Sequence, residues 1–123
     1  MIPMPVTVGA PYAYPSRPPE TFDCWSLVVH VRAAVGLRTP LSVSESDFDP
    51  RNFGQAVARE LVDGDWVDTS KPTDGDLVVF SSQHVGVWFG GRVVHAASSC
   101  GVQVATWRSV RRRYPGAHVM TLQ

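Results

Sequence analysis

One cysteine and two histidines stand where they could do chemistry together. Cys24 follows Asp23 at the head of an apolar run, and His84 and His95 sit on the two arms of His84-Val85-Gly86-Val87-Trp88-Phe89-Gly90-Gly91-Arg92-Val93-Val94-His95. A thiol with a nearby imidazole is an activated nucleophile, and a second polar ring behind the first fixes its tautomer and orientation. The residue types therefore point to a thiol hydrolase.

The element that positions the sulfur is a helix. Asp23 is a good N-cap, Leu27, Val28, Val31, Ala34 and Val35 recur at three- and four-residue spacing, and Gly36 supplies a stop. Cys24 then lies in the first turn, where free backbone N–H groups and the helix dipole favour thiolate and pull the pKa below its free value of about 8.5. Asp23 opposes this with its own negative charge.

The element that positions the imidazoles is a hairpin. A Gly90-Gly91 turn pairs Phe89 with Arg92, Trp88 with Val93, Val87 with Val94, Gly86 with His95 and Val85 with Ala96. Alternation puts His84, Gly86, Trp88, Val93 and His95 on one face, the two histidines as diagonal neighbours roughly 7–8 Å apart at the backbone. Gly86 leaves the space between them open.

These residues resemble the NlpC-type cell-wall endopeptidases, a papain-like family. Four ordered stretches carry the resemblance: Pro11-Tyr12, Asp23-Cys24 with Leu27-Val28, Gly75-Asp76-Leu77-Val78-Val79-Phe80, and His84-Val85-Gly86-Val87 continuing to Val94-His95-Ala96. The resemblance implies Cys24 as nucleophile, His84 as general base and His95 as the orienting residue. It implies Tyr12 beside the nucleophile, on the substrate or carbonyl-oxygen side with Asp23, and the Cys24 backbone N–H as an oxyanion donor. No metal or organic cofactor is implied. The substrate it implies is a peptidoglycan stem peptide, cut between D-glutamate and a diamino acid.

One departure narrows the likeness. Many members carry Ser-Gly after the cysteine, whereas this chain has Trp25-Ser26. An aromatic there, with Gly9-Ala10-Pro11-Tyr12, resembles the phage-tail branch, whose partners would be other tail-tip or baseplate proteins. Two alternatives stand beside a hydrolase: a structural tail-tip subunit with a latent site, and a related amidase or acyltransferase.

Composition agrees with one such domain. The chain has 123 residues, 44% of them hydrophobic, and 11 basic against 11 acidic side chains, so its overall field does not select nucleic acid. No stretch is apolar enough to span a bilayer, and Met1-Ile2-Pro3-Met4-Pro5 has neither a basic leader nor a continuous apolar segment. The expectation is therefore a virion tail tip, or host cytoplasm during assembly, without export by the usual signal. Arg108 and Arg111-Arg112-Arg113 read as a solvated edge. Cys100, in a turn after the second histidine strand, reads as an incidental free thiol. With Cys24, His84 and His95 it has the ligand types of a zinc site, but the spacings match no usual pattern.

The remaining elements complete an α+β domain, N-terminal helices packed on a central antiparallel sheet. Residues 1–22, with six prolines, form an arm that places Tyr12, and residues 23–123 form the peptidase domain. Asp49-Pro50 begins a second helix lined by Phe53, Ala56, Val57 and Leu61. Gly64-Asp65-Trp66 and Thr73-Asp74-Gly75-Asp76 mark turns, and Leu77–Phe80, Val102–Ala105 and Ala117–Leu122 read as strands. The cleft should run between the start of the first helix and the sheet face bearing both imidazoles. His30 reads as a surface or locally bonded ring, and Trp25 and Trp88 as buried aromatics.

Overall fold

A capping box starts the first helix. The Asp23 carboxylate accepts the Ser26 N–H at 2.8 Å, and the Ser26 hydroxyl accepts the Asp23 N–H at 3.0 Å. Two of the amides that a helix start leaves unpaired are thereby satisfied, a contribution of about 1 kcal/mol. The sequence showed the cap but not Ser26's half of it. At the other end Gly36 takes φ 81°, the left-handed conformation in which glycine ends helices.

A computed structural model describes residues 3–13, 16–39, 60–61, 64–81 and 84–122. Its elements run α1 (Cys24–Ala34), β1 (Trp66–Asp68), β2 (Leu77–Ser81), β3 (His84–Phe89), β4 (Arg92–Ala97), β5 (Gly101–Ala105), α2 (Trp107–Arg113) and β6 (His118–Leu122). The strands form one antiparallel sheet in the order β1-β6-β2-β3-β4-β5. Among the described residues no helix is long and apolar enough to cross a membrane.

The β3–β4 hairpin has the expected register at its three pairs nearest the turn. Gly90 and Gly91 both take positive φ, 60° and 74°, the conformation whose twist suits a two-residue hairpin turn. Phe89 therefore faces Arg92, Trp88 faces Val93 and Val87 faces Val94.

Side-chain alternation then divides the apolar residues into two clusters. Val85, Val87, Phe89, Val94 and Ala96 join Leu77 and Val79 in a core with Leu27, Val28 and Val31 of α1. Those three α1 residues have no exposed surface, and each contributes roughly 1.5–3 kcal/mol of burial. Val78, Phe80 and Val93 point the other way, into a cluster with Val110 of α2, Ala117 and Val119.

Two local readings change in the folded chain. Trp66 opens a strand rather than marking a turn, because Trp66, Val67 and Asp68 pair with Leu122, Thr121 and Met120, partners more than fifty positions away. The arginine run is exposed, as a solvated edge would be, but it is helical. It forms most of α2, capped by Thr106 and held by the buried Val110, so helices do not all precede the sheet. Of the helix expected from Asp49, only Leu61 and its neighbour Glu60 are described, and both are helical. Asp49, Pro50, Phe53, Ala56 and Val57 lie outside the described residues.

Arg32 ties α1 to the rest. It is 3% exposed and donates from Nη1 to the Gly75 carbonyl at 2.7 Å, from Nη2 to the Arg38 carbonyl at 2.8 Å and from Nε to Thr39 Oγ1 at 3.1 Å. Its guanidinium also lies 5.0 Å from the centre of the Trp66 ring.

The arm docks along β5. Gly9 N–H donates to the Val102 carbonyl at 2.8 Å, and Val102 N–H donates to the Ala10 carbonyl at 2.9 Å. Farther on, Tyr12 and Phe22 form a parallel bridge. His30 is the outside support, its Nε2–H donating to the Pro5 carbonyl at 3.2 Å and its ring edge-on to Phe22.

Candidate active site

His84 opens β3 and His95 is the fourth residue of β4. Their rings meet: His84 Nε2 lies 3.2 Å from His95 Nδ1. Between two neutral imidazoles one nitrogen must donate. If His84 donates from Nε2, its Nδ1 carries a free lone pair and is the base of the pair.

Gly86 has a different role from the expected one. A Cβ on it would come 2.8 Å from the Val94 carbonyl oxygen, 3.1 Å from His95 Cβ and 3.3 Å from the Phe80 ring. The site is filled, not open. Phe80 packs edge-on against His84 with ring centres 4.6 Å apart, and tilted against His95 at 5.0 Å and Tyr114 at 5.2 Å. It fixes both imidazoles from the side, a contact invisible in a short apolar strand.

Cys24 clusters with Val85 and Ala96 on the α1 side of the sheet, whereas the histidine rings lie against Phe80 on the α2 side. The cleft therefore crosses the end of the sheet, where β3 starts and β4 stops, instead of lying along one face. It has a volume of about 300 Å³ and is lined by Tyr12, Cys24, His84, Ala96, Ala97, Ser98 and Tyr114. Tyr12, Cys24 and His84, far apart in the chain, share it. His95 stands behind His84, and Asp23 is 3% exposed with its carboxylate held by the Ser26 amide.

The profile of the NlpC/P60 family matches residues 9–122. This chain belongs to the NlpC/P60 family. Comparison with curated proteins gives no match. The family is one of cysteine peptidases that act on peptidoglycan, with a papain-like α+β fold. The matched span runs from the arm that carries Tyr12 to β6, so it includes every cleft-lining residue.

In this NlpC/P60 chain burial governs the charges. The Cys24 thiol, 4% exposed, is pushed up to about 12, first by desolvation and also by the Asp23 carboxylate. The N–H groups of Val85, Cys24 and Trp25 work in the opposite direction. The helix start thus favours the thiolate as expected from the sequence, but loss of water outweighs it. His84 is lowered to about 4 by burial and then by the neighbouring His95. His95 is lowered by burial and by Arg113. Tyr12 is raised, again by burial and then by Cys24 and Asp23, so its hydroxyl keeps its proton and remains a donor. The resting site holds a neutral thiol and a neutral imidazole, and among the described residues no hydrogen bond joins Cys24 to His84.

Tyr114 and Ser98 also line the cleft, and sequence reasoning passed over both. Ser98 sits in the β4–β5 turn, two residues before Cys100. Tyr114 is the C-cap of α2 and reaches the site only because α2 folds back on the sheet; nothing in its local sequence signals this. Trp25 is 2% exposed and part of the core, and Trp88 packs against Trp107 with ring centres 6.0 Å apart. Neither lines the cleft. Cys24 and Cys100 are both free, one buried and the other exposed. Among the described residues no three His, Cys, Asp or Glu side chains gather as a metal site would need.

Proposed function

We propose that this chain is a thiol-dependent peptidoglycan endopeptidase that cuts stem peptides between D-glutamate and a diamino acid, carried on a phage or phage-like tail tip. The observation that carries the reading is the shared cleft of Cys24 and His84, with His84 backed by His95 at 3.2 Å.

The chemistry follows from the neutral pair. His84 takes the thiol proton as sulfur attacks the amide carbonyl, and a tetrahedral oxyanion forms. The Cys24 backbone N–H and the protonated Tyr12 hydroxyl are the donors for that oxygen. His84 then protonates the leaving amine. Water, deprotonated by the same ring, hydrolyses the thioester and frees the sulfur. His95, accepting from the Nε2–H of His84, keeps Nδ1 as the nitrogen that takes up and gives back the proton.

Trp25 after the cysteine and Gly9-Ala10-Pro11-Tyr12 in the arm support the tail-tip setting. A second reading, a tail subunit with a latent site, draws on the burial of Cys24. Purified muropeptides separate the two. The wild type should release new amino termini at the D-glutamyl–diamino acid bond, identified by mass spectrometry, and Cys24→Ala should release none while keeping its thermal midpoint. A wild type as inert as Cys24→Ala would leave the latent reading, and cleavage at another bond would make the chain a related amidase.

A further inference from the structure

We propose that the outward face of α2, carrying Arg108, Arg111 and Arg112, is a docking surface, separate from the cleft, for an anionic phosphodiester polymer of the cell wall. Binding there does not require the endopeptidase activity. The kind of polymer follows from the family's peptidoglycan setting.

Charge is spread unevenly along this chain. All 11 acidic residues lie at or before Asp76, and the sequence beyond it holds five arginines and no acid. Four of those arginines stand within positions 108–113, so a chain with no net charge carries a concentrated positive surface. Among the described residues none of the four makes an ion pair. Arg32, by contrast, spends its donors on internal acceptors.

The packing of α2 decides where the charges point. Val110 is buried in the cluster with Val78, Phe80 and Val93. At roughly 100° per residue, Arg108 and Arg112 then fall on the opposite side of the helix, with Arg111 beside them. All three are exposed. Arg111 is also restrained on an aromatic face: its guanidinium carbon lies 5.6 Å from the Trp107 ring centre, and Trp88 braces Trp107 edge-on at 6.0 Å. Stacking of this kind leaves the in-plane donors of the guanidinium free.

The arrangement does not serve the helix itself. Like charges three and four positions apart repel. Arg108 stands in the first turn, where the helix dipole disfavours a cation and no acidic residue offsets it. An external anion relieves both.

Three forked donors on one face suit a repeating anion, since each guanidinium takes a phosphate through two parallel hydrogen bonds. A protein partner fits less well. Among the described residues the large exposed apolar side chains are Val8, Leu37, Val67 and Val104, none of them on α2, whereas a stable protein interface has an apolar centre. Nucleic acid is disfavoured by the absence of an overall positive field. Polyol-phosphate chains joined to the wall glycan present their phosphates close to the stem peptides. Tyr114, the residue after α2, lines the cleft, so a chain bound to this face keeps the cleft beside the wall.

The test titrates the full-length protein with end-labelled poly(glycerol phosphate), followed by fluorescence anisotropy. Affinity should fall with salt at a log–log slope of about −2, as three contacts to a single-stranded polyanion require. Arg108→Gln/Arg111→Gln/Arg112→Gln should bind roughly tenfold or more weakly at low salt with its thermal midpoint kept, and the corresponding triple lysine variant should retain most of the affinity. Arg17→Gln/Arg38→Gln/Arg92→Gln removes the same charge from other exposed positions and should bind like the wild type. No binding by the wild type, equal losses in the two glutamine variants, or tighter binding of polyuridylate or polyglutamate of equal length overturns the proposal. A wild type that binds the polymer but cleaves no muropeptide counts against the endopeptidase reading alone.

Discussion

The carbonyl of Ala10 occupies the space that a side chain on Gly101 would fill. Gly101 also takes φ 73°, so the β5 residue beside the arm is glycine for two reasons. Ala10 is two residues before Tyr12. Close approach here is how the arm delivers a phenol to the cleft.

Gly101→Ala should therefore loosen the arm and displace Tyr12. A loss of about 2–3 kcal/mol in urea unfolding is expected, from the steric contact and the left-handed backbone together, with a fall in kcat/KM on muropeptides. Gly90→Ala is the control. It shares the positive φ but would meet nothing within 4 Å, so it should cost about 1–2 kcal/mol and leave kcat/KM unchanged. Equal effects of the two on kcat/KM would remove the arm from the site.

The histidine pair predicts the acid limb of the pH profile. His84 acts as base only when neutral, and its folded pKa is lowered to about 4 from 6.5. The acid limb of kcat/KM should fall near pH 4. His95→Ala removes the neighbouring ring and admits water, so the limb should move up towards 6.5 and the maximum rate should drop as the tautomer is lost.

Stability has a definite sign over the same range. The folded chain resists protonating His84 until about pH 4, while the unfolded chain takes up that proton near 6.5. The stabilisation from keeping this ring neutral is complete above 6.5 and is lost as pH falls from there towards 4. Urea midpoints measured across that window should decline, and less steeply in His84→Gln.

Asp23 pulls in two directions. Its carboxylate caps α1 and also raises the thiol pKa. Asparagine caps about as well as aspartate but carries no charge. Asp23→Asn should leave the thermal midpoint nearly unchanged and increase the rate of Cys24 alkylation by iodoacetamide at neutral pH, measured by peptide mapping with the exposed Cys100 as internal reference. Slower alkylation of Cys24 would contradict the assigned electrostatics.

Arg32→Met removes three donors and keeps much of the apolar stem. The Gly75 and Arg38 carbonyls would lose their partner, the first of them in a buried hydrogen bond. A loss of about 2–4 kcal/mol is expected, read as a lower urea midpoint. A change under 1 kcal/mol would mean that water replaces the guanidinium without cost.

What the sequence determined by itself was local. Asp23 caps because its carboxylate reaches an amide three residues on, and Gly90-Gly91 fixes register because two left-handed residues close a tight turn. Cys24 at a helix start and two imidazoles on paired strands follow from those short-range rules, as does the likeness that named the family. Tertiary structure decided the rest, because its causes lie far apart in the chain. Trp66 is a strand only beside β6, and Tyr114 borders the cleft only because α2 returns to the sheet. The thiol is raised chiefly because burial, with the Asp23 charge, outweighs the amides around it. Periodicity reports which face a residue takes; which distant surface meets that face, and how much water remains there, is settled when the chain packs.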